Sequence, residues 1–365
     1  MDQPDIIAEA RTLKETDRKC PECGGTMDYS PEAKGLLCPY CGHAEEVPSG
    51  EEEIAQELDF SDAEHKGNCD WGVEKKTVIC KSCGAESIYD ALEVSNVCPY
   101  CGSNQVTEAA DEKTLAPNGV CPFEVTAKQA GGNFTKWIKG KLFTPSAAKK
   151  SAHPDAFKGV YLPYWTFDTD TKSRYTARYG IDKQVKKQDG TTETQTTWYN
   201  TSGLYNQFID DQLVIATNRY DADLMRRIEP FRTAESKGYK PEYVAGYISE
   251  RYSIGLQQGW ETAKAAIDAT LRSNITGKIR SERNADRVDR LRVWTNYADL
   301  KYKYLMLPVW LSSFTFQKKV YRFMVNGQTG AVGGKAPVSA LRVTIAILIG
   351  IALLALLIWL FSMGK

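Results

Sequence analysis

The chain has 365 residues, 46 Lys and Arg against 46 Asp and Glu, ten Cys and three His. That length accommodates two or three domains, and three well-separated histidines (His43, His65, His153) leave little material for a His-based metal centre. The zero net charge hides a split. Residues 1–116 hold 10 basic and 25 acidic side chains, a balance of −15, whereas residues 117–365 hold 36 and 21, a balance of +15.

The N-terminus has no basic stretch followed by an apolar region, so no secretory signal is expected. Ile6, Ile7, Ala10 and Leu13 predict a short helix within residues 1–17. Residues 18–48 then read as a first metal ribbon: Cys20-x2-Cys23 is followed after 14 residues by Cys38-x2-Cys41. Residues 69–108 carry a second copy 60 residues on, Cys80-x2-Cys83 and Cys98-x2-Cys101. Four thiolates so spaced form a closed tetrahedral site, and a closed site is structural rather than catalytic. Two structural Zn2+ ions are therefore expected, with rubredoxin-like iron the next alternative. The spacing and missing signal favour metal-bound thiolates over disulfides. Glycine follows each half-site (Gly24, Gly42, Gly84, Gly102), where positive φ turns backbone N–H groups toward sulfur. Thr26–Tyr29 with Gly35–Leu37, and Glu86–Tyr89 with Val94–Val97, are expected as short strands. A ribbon of some 30 residues buries little core, so metal binding, on the order of 10–16 kcal/mol, must hold it.

Neither ribbon suits nucleic acid. Arg18 to Pro48 holds three basic and five acidic residues, and Thr77 to Thr107 holds one and three. Phosphate binding needs the opposite balance. Cys69 and Cys121 remain as small part-buried hydrophobes. Residues 49–68 form an acidic linker; Ser49 and the glutamates after it suit a helix start, with Ile54, Leu58 and Phe60 available for docking.

From residue 117 to 336 the pattern is that of an α+β domain with an antiparallel sheet. Thr126–Lys141, with Phe134, Trp137 and Ile138, and Ser146–Ala152 are expected helices. Gly159–Asp168 is a β-rich run, and Tyr175–Tyr179 and Thr194–Tyr199 alternate as half-buried strands do. Glu242–Ile275 is expected as the main helix and Arg283–Val293 as another. Leu162-Pro163-Tyr164-Trp165 is echoed by Leu307-Pro308-Val309-Trp310. Proline there suggests an edge or a bulge, and the paired tryptophans suggest core filling rather than a ligand platform. Val320–Val325 and Asn326-Gly327 give strand and tight turn. Asp168, Asp170, Asp210 and Asp211 are assigned turn and surface roles, unless folding gathers two of them in a pocket with raised pKa. No P-loop, G-x-S-x-G or H-E-x-x-H sequence occurs, so no enzymatic activity is expected.

Val343–Phe361 is 19 residues without a charge, so a transmembrane helix is expected over residues 341–361. Lys and Arg precede it, which implies single-pass attachment to the cell membrane, cytoplasmic N-terminal domains and contact with membrane lipid.

Cys69-Asp70-Trp71-Gly72, Cys98-Pro99-Tyr100-Cys101-Gly102-Ser103, Gly159–Trp165, Leu307–Trp310 and Val325–Gly330 together resemble a bacterial family of membrane-anchored proteins with transcription-factor-IIB-type zinc ribbons. Its members are often labelled primosomal helicase-like. The resemblance covers most of the chain; Cys121 departs from the aliphatic residue expected there. It implies an envelope-stress complex with phage-shock or flotillin-like protein partners. The combined expectation is a multidomain, tail-anchored adaptor that recruits protein partners. The alternative is a nucleic-acid-binding ribbon protein linked to replication or transcription.

Overall fold

The computed structural model describes residues 19–47, 54–61, 115, 117–152, 154, 157–187, 191–218, 220, 222–250 and 252–363, and three strands between 75 and 108. The helix expected within residues 1–17, the strand at Val94–Val97, His65, His153, Cys69, Cys83, Cys98 and Cys101 lie outside these residues.

Three strands, β1 (Asp28–Ser30), β2 (Gly35–Leu37) and β3 (Ala44–Glu46), form a small sheet in that order. A second sheet contains β4 (Leu58–Asp59), β5 (Lys75–Cys80), β6 (Glu86–Asp90), β7 (Val106–Glu108) and β8 (Gly119–Val120). Helices α1 (Ala127–Gly140) and α2 (Ser146–Ser151) follow. The long strands β9 (Lys158–Lys186) and β10 (Thr192–Ile215) precede α3 (Ala222–Arg226), β11 (Lys237–Gly238), α4 (Pro241–Val244) and β12 (Ile248–Glu250). Helix α5 (Leu256–Arg283) leads into β13 (Arg287–Phe316), β14 (Lys319–Asn326), β15 (Val332–Gly334) and α6 (Ala340–Met363).

α1 starts where Thr126 and Gln129 exchange hydrogen bonds between side chain and backbone, a capping box that satisfies two N–H groups of the first turn. It buries Ala130, Phe134 and Ile138, and Phe134 stacks on Phe323 at 3.9 Å. Two helix expectations are corrected. Residues 242–255 hold the end of α4, then β12 and a loop; the long helix begins at Leu256. Gly246, at φ +79°, breaks the apolar spacing there. The segment from Arg287 to Val293 is strand, because the helix has already stopped at Asn284, whose left-handed φ of 48° lets Ala285 N–H bond Arg280 O. α5 lays Ala263, Ile267, Leu271, Ile275 and Ile279, three or four residues apart, on the sheet. Gly259 is needed because a Cβ there would meet Trp165 Cδ1 at 2.7 Å.

β9 and β13 are antiparallel partners from Lys158 opposite Leu311 to Gly180 opposite Arg287. Leu162 faces Leu307, so the two Leu-Pro segments cross at one point. Each proline lies where the neighbouring strand is missing. On β9, β12 pairs at Val160 and Tyr161 and β10 stops opposite Tyr164, leaving Pro163 in the gap. On β13, β8 ends opposite Met306 and β14 begins opposite Val309, leaving Pro308 in the other gap. Loop amides complete the pattern: Ala216 N–H donates to Pro163 O at 2.9 Å and Gly327 N–H to Pro308 O at 2.8 Å. The prolines are thus local edges inside interior strands. Trp165 and Trp310 are both buried in one core; their indole N–H groups donate to Ile254 O and Val125 O. Packing, not ligand stacking, accounts for them.

Beyond the body, β10, β9 and β13 continue as a three-stranded arm. One face, with Tyr175 and Ala177, is covered by Ile275 and Ile279 of α5. The other, with Lys172, Arg174, Trp198, Leu204, Arg292 and Trp294, is exposed.

The expected transmembrane helix over residues 341–361 is corrected. α6 is helical, and its described apolar side chains, Ile347, Leu348, Ile351 and Leu354 among them, are exposed. Among the described residues no helix is long and apolar enough to cross a membrane. Single-pass membrane attachment, and the cell-membrane location with cytoplasmic N-terminal domains drawn from it, are not supported.

Asn326 closes the body. It is fully buried; its Oδ1 accepts from Gln328 and Thr329 N–H at 2.8 and 3.0 Å, and its Nδ2 donates to Ile228 O and Pro230 O at 2.8 and 3.2 Å. Asn326→Ala strands four backbone groups, each costing about 1–3 kcal/mol if unmet. Urea denaturation should show a loss of at least ~2 kcal/mol; a loss below ~0.5 kcal/mol would contradict the role assigned to this side chain.

Candidate metal centre

The first ribbon brings Cys20, Cys23, Cys38 and Cys41 together, their sulfurs all within 4.8 Å of one another. Sγ of Cys20 lies 3.5 Å from that of Cys41, and Sγ of Cys23 lies 3.5 Å from that of Cys38. Four sulfurs at about 2.3 Å from one ion stand about 3.8 Å apart at the corners of a tetrahedron, so the donor set fits a metal and is too open for disulfides. Gly24 and Gly42 take φ +72° and +78°, and their N–H groups return to Cys20 O and Cys38 O at 2.8 and 3.0 Å. These tight knuckles aim further N–H groups at sulfur: Gly25 at Cys23, Tyr40 and Cys41 at Cys38, and His43 at Cys41. Burial raises the Cys38 thiol, but those amide dipoles and the neighbouring thiols bring it down to about 7. His43 takes no place among the sulfurs; its Nε2 lies 3.5 Å from Glu45.

The ribbon is fused to the body. Met27 and Leu36 are fully buried and share a core with Tyr243, Val244 and Ala245. Tyr29 N–H donates to Ala245 O at 3.1 Å, and its ring meets Tyr243 edge-on at 5.9 Å. Ile54 bridges Lys237, and Leu58 and Asp59 pair with β13, so the described part of the acidic linker is extended and docked rather than helical. Of the second set, Cys80 ends β5, which pairs with β6 and β7, and β6 joins the body through β12.

A second cluster was not assigned from sequence. Asp168, Asp210 and Asp211 offer carboxylate oxygens within 4.8 Å of one another; Asp170 is not among them. A bulge between Ile209 and Gln212 creates it, with Asp211 at φ +48°. Asp211 N–H donates to Asp168 Oδ1 at 2.5 Å. Burial pushes Asp168 up to about 6 against the pull of that N–H and of Lys303, with the Asp211 and Glu57 carboxylates adding to the rise. These carboxylates therefore do meet, and Asp168 among them is raised, but a cation is already built in. Lys303 Nζ lies 2.6 Å from Asp211 and 3.9 Å from both Asp168 and Glu57. Burial opposes its charge, yet the hydrogen bond and field of Asp211 raise its pKa. The cluster is an internal ion network at the root of the arm. Cys121 is also structural: fully buried, its thiol is pushed up to about 12, chiefly by burial.

The chain is 30% identical to the uncharacterized protein YdjG of Bacillus subtilis (strain 168) over 329 residues, 88% of this chain and 90% of the relative. It belongs to the family of that protein. No protein-family model and no solved structure matches it.

Two outcomes follow from this geometry. Cys20→Ser with Cys23→Ser should remove one equivalent of bound metal and speed amide exchange at Tyr29 and across residues 241–247; unchanged metal content would sink the assignment. For Asp168, a folded pKa raised from 3.8 to about 6 means a contribution that is complete below about pH 4 and lost as pH rises through 6. Asp168→Asn should therefore flatten the pH dependence of the thermal midpoint between pH 4 and 7. An equally steep profile in the variant would show that another group titrates.

Proposed function

We propose that this protein is a non-enzymatic scaffold whose ribbons are clamped by zinc and which assembles protein partners. The observation that carries the reading is the first thiolate tetrad. Its four protein sulfurs lie close enough to complete a tetrahedral shell around one ion, which would leave no position for substrate or water, and the hairpin that carries them is packed into the body's core. Such an ion supplies folding free energy rather than chemistry. The identity of the ion as Zn2+, and a second such site at Cys80, Cys83, Cys98 and Cys101, belong to this proposal and rest on donor chemistry and repeated spacing.

The acidic balance of residues 1–116 favours protein over nucleic acid as the partner of the ribbons. Zinc analysis of the native full chain should give two equivalents, and mild co-purification should return protein partners in fixed ratio. Those partners should be lost from the Cys20→Ser, Cys23→Ser variant. Partners retained in full by the variant, or none from metal-replete chain, would overturn the reading.

A further inference from the structure

β10 is an edge strand of unusual character. Among the described residues β9 is its only strand partner, so its outer row of N–H and C=O groups is unpaired over the arm. From Thr194 to Ile209 it contains no charged residue and no proline. Natural sheets guard such edges with lysine, proline, bulges or short strands, because an open row of backbone groups is a template for another strand. Here the first bulge comes only after Ile209, at the arm's root. The side chains beside the edge are also apolar to a degree that water does not favour: Trp198 is 37% exposed, Leu204 72% and Phe208 57%.

We propose that β10 pairs antiparallel with β10 of a second copy of this chain, joining two three-stranded arms into one continuous sheet. Like can meet like because the strand is uncharged. With the twofold axis at Thr201, Trp198 faces Leu204 of the second copy, Leu204 faces its Trp198, and Asn200 faces its Ser202. All lie on the open face, since same-parity positions share a side. The basic side chains Lys172, Arg174 and Arg178 sit one strand further in. Across the seam the two β9 strands stand three strand spacings apart, about 14 Å, beyond the ~8 Å Debye length at physiological salt. Such a pairing is isologous and closed: it consumes both edges at once and leaves neither to recruit a third chain. It does not depend on the adaptor reading, and it concerns a different surface from the ribbon.

Sedimentation of the full chain, in a non-ionic detergent that masks the exposed apolar side chains of α6, tests it. The wild type should sediment as a dimer. Asn200→Lys with Ser202→Lys should sediment as a monomer at the same concentration, because four ammonium groups would crowd the seam. Asn200→Glu with Ser202→Glu is the second variant. It places carboxylates beside Arg178 within each chain, which suits the fold, and like charges across the seam, so it too should be monomeric. Asn200→Thr with Ser202→Thr should remain dimeric. A monomeric wild type, or a dimer that survives both charged pairs with their thermal midpoints intact, would overturn the proposal.

Discussion

The antiparallel pairing of β9 with β13 carries the architecture, because each strand also organises one flank of the body. β9 holds β10 and β12 on one side, and β13 holds β8, β4 and β14 on the other. Where Leu162 meets Leu307, both flanks open at once, and both openings hold a proline that has no N–H to leave unpaired. The loop amides of Ala216 and Gly327 then bond the proline carbonyls. The repeated Leu-Pro segment is thus a local twofold-like crossing around which core tryptophans, loops and Asn326 are arranged.

The knuckle residues of the first ribbon were legible because thiolate chemistry fixes their spacing, and the positive φ of Gly24 and Gly42 follows from it. α1 was legible from its apolar spacing and capping residues. The error at Arg283–Val293 came from reading one strand by itself. In β13, Val288, Leu291 and Val293 pack with Tyr175 and Ala177, partners more than a hundred residues earlier. The Asp168 cluster was hidden for the same reason. A bulge in β10 and a lysine on β13 create it, and neither is written in the local pattern around Asp168. At the C-terminus the uncharged apolar run led to a membrane span, although among the described residues no helix is long and apolar enough to cross a membrane.

The acidic first part and basic second part also meet in a specific way. Glu57, from the acidic linker, lies 3.2 Å from Lys301 and 3.9 Å from Lys303 on β13. Asp59 is held low by Ser61 and, more weakly, by Lys301. The opposite net charges are therefore partly a docking interaction inside the chain, which lies beside the bulges at the root of the arm.

The three long strands restrict how this arm can change length during descent. Side chains alternate between the helix-covered face and the open face, so one inserted residue would exchange the two faces beyond it. Matched steps of two in adjoining strands preserve the alternation, as does an extra residue absorbed by a bulge. The arm already uses the second device, with register shifts at Ile209/Gln212, Asp289/Arg292 and Ala298/Lys301. Lineages should consequently vary it in discrete increments, while the body tolerates gradual loop drift.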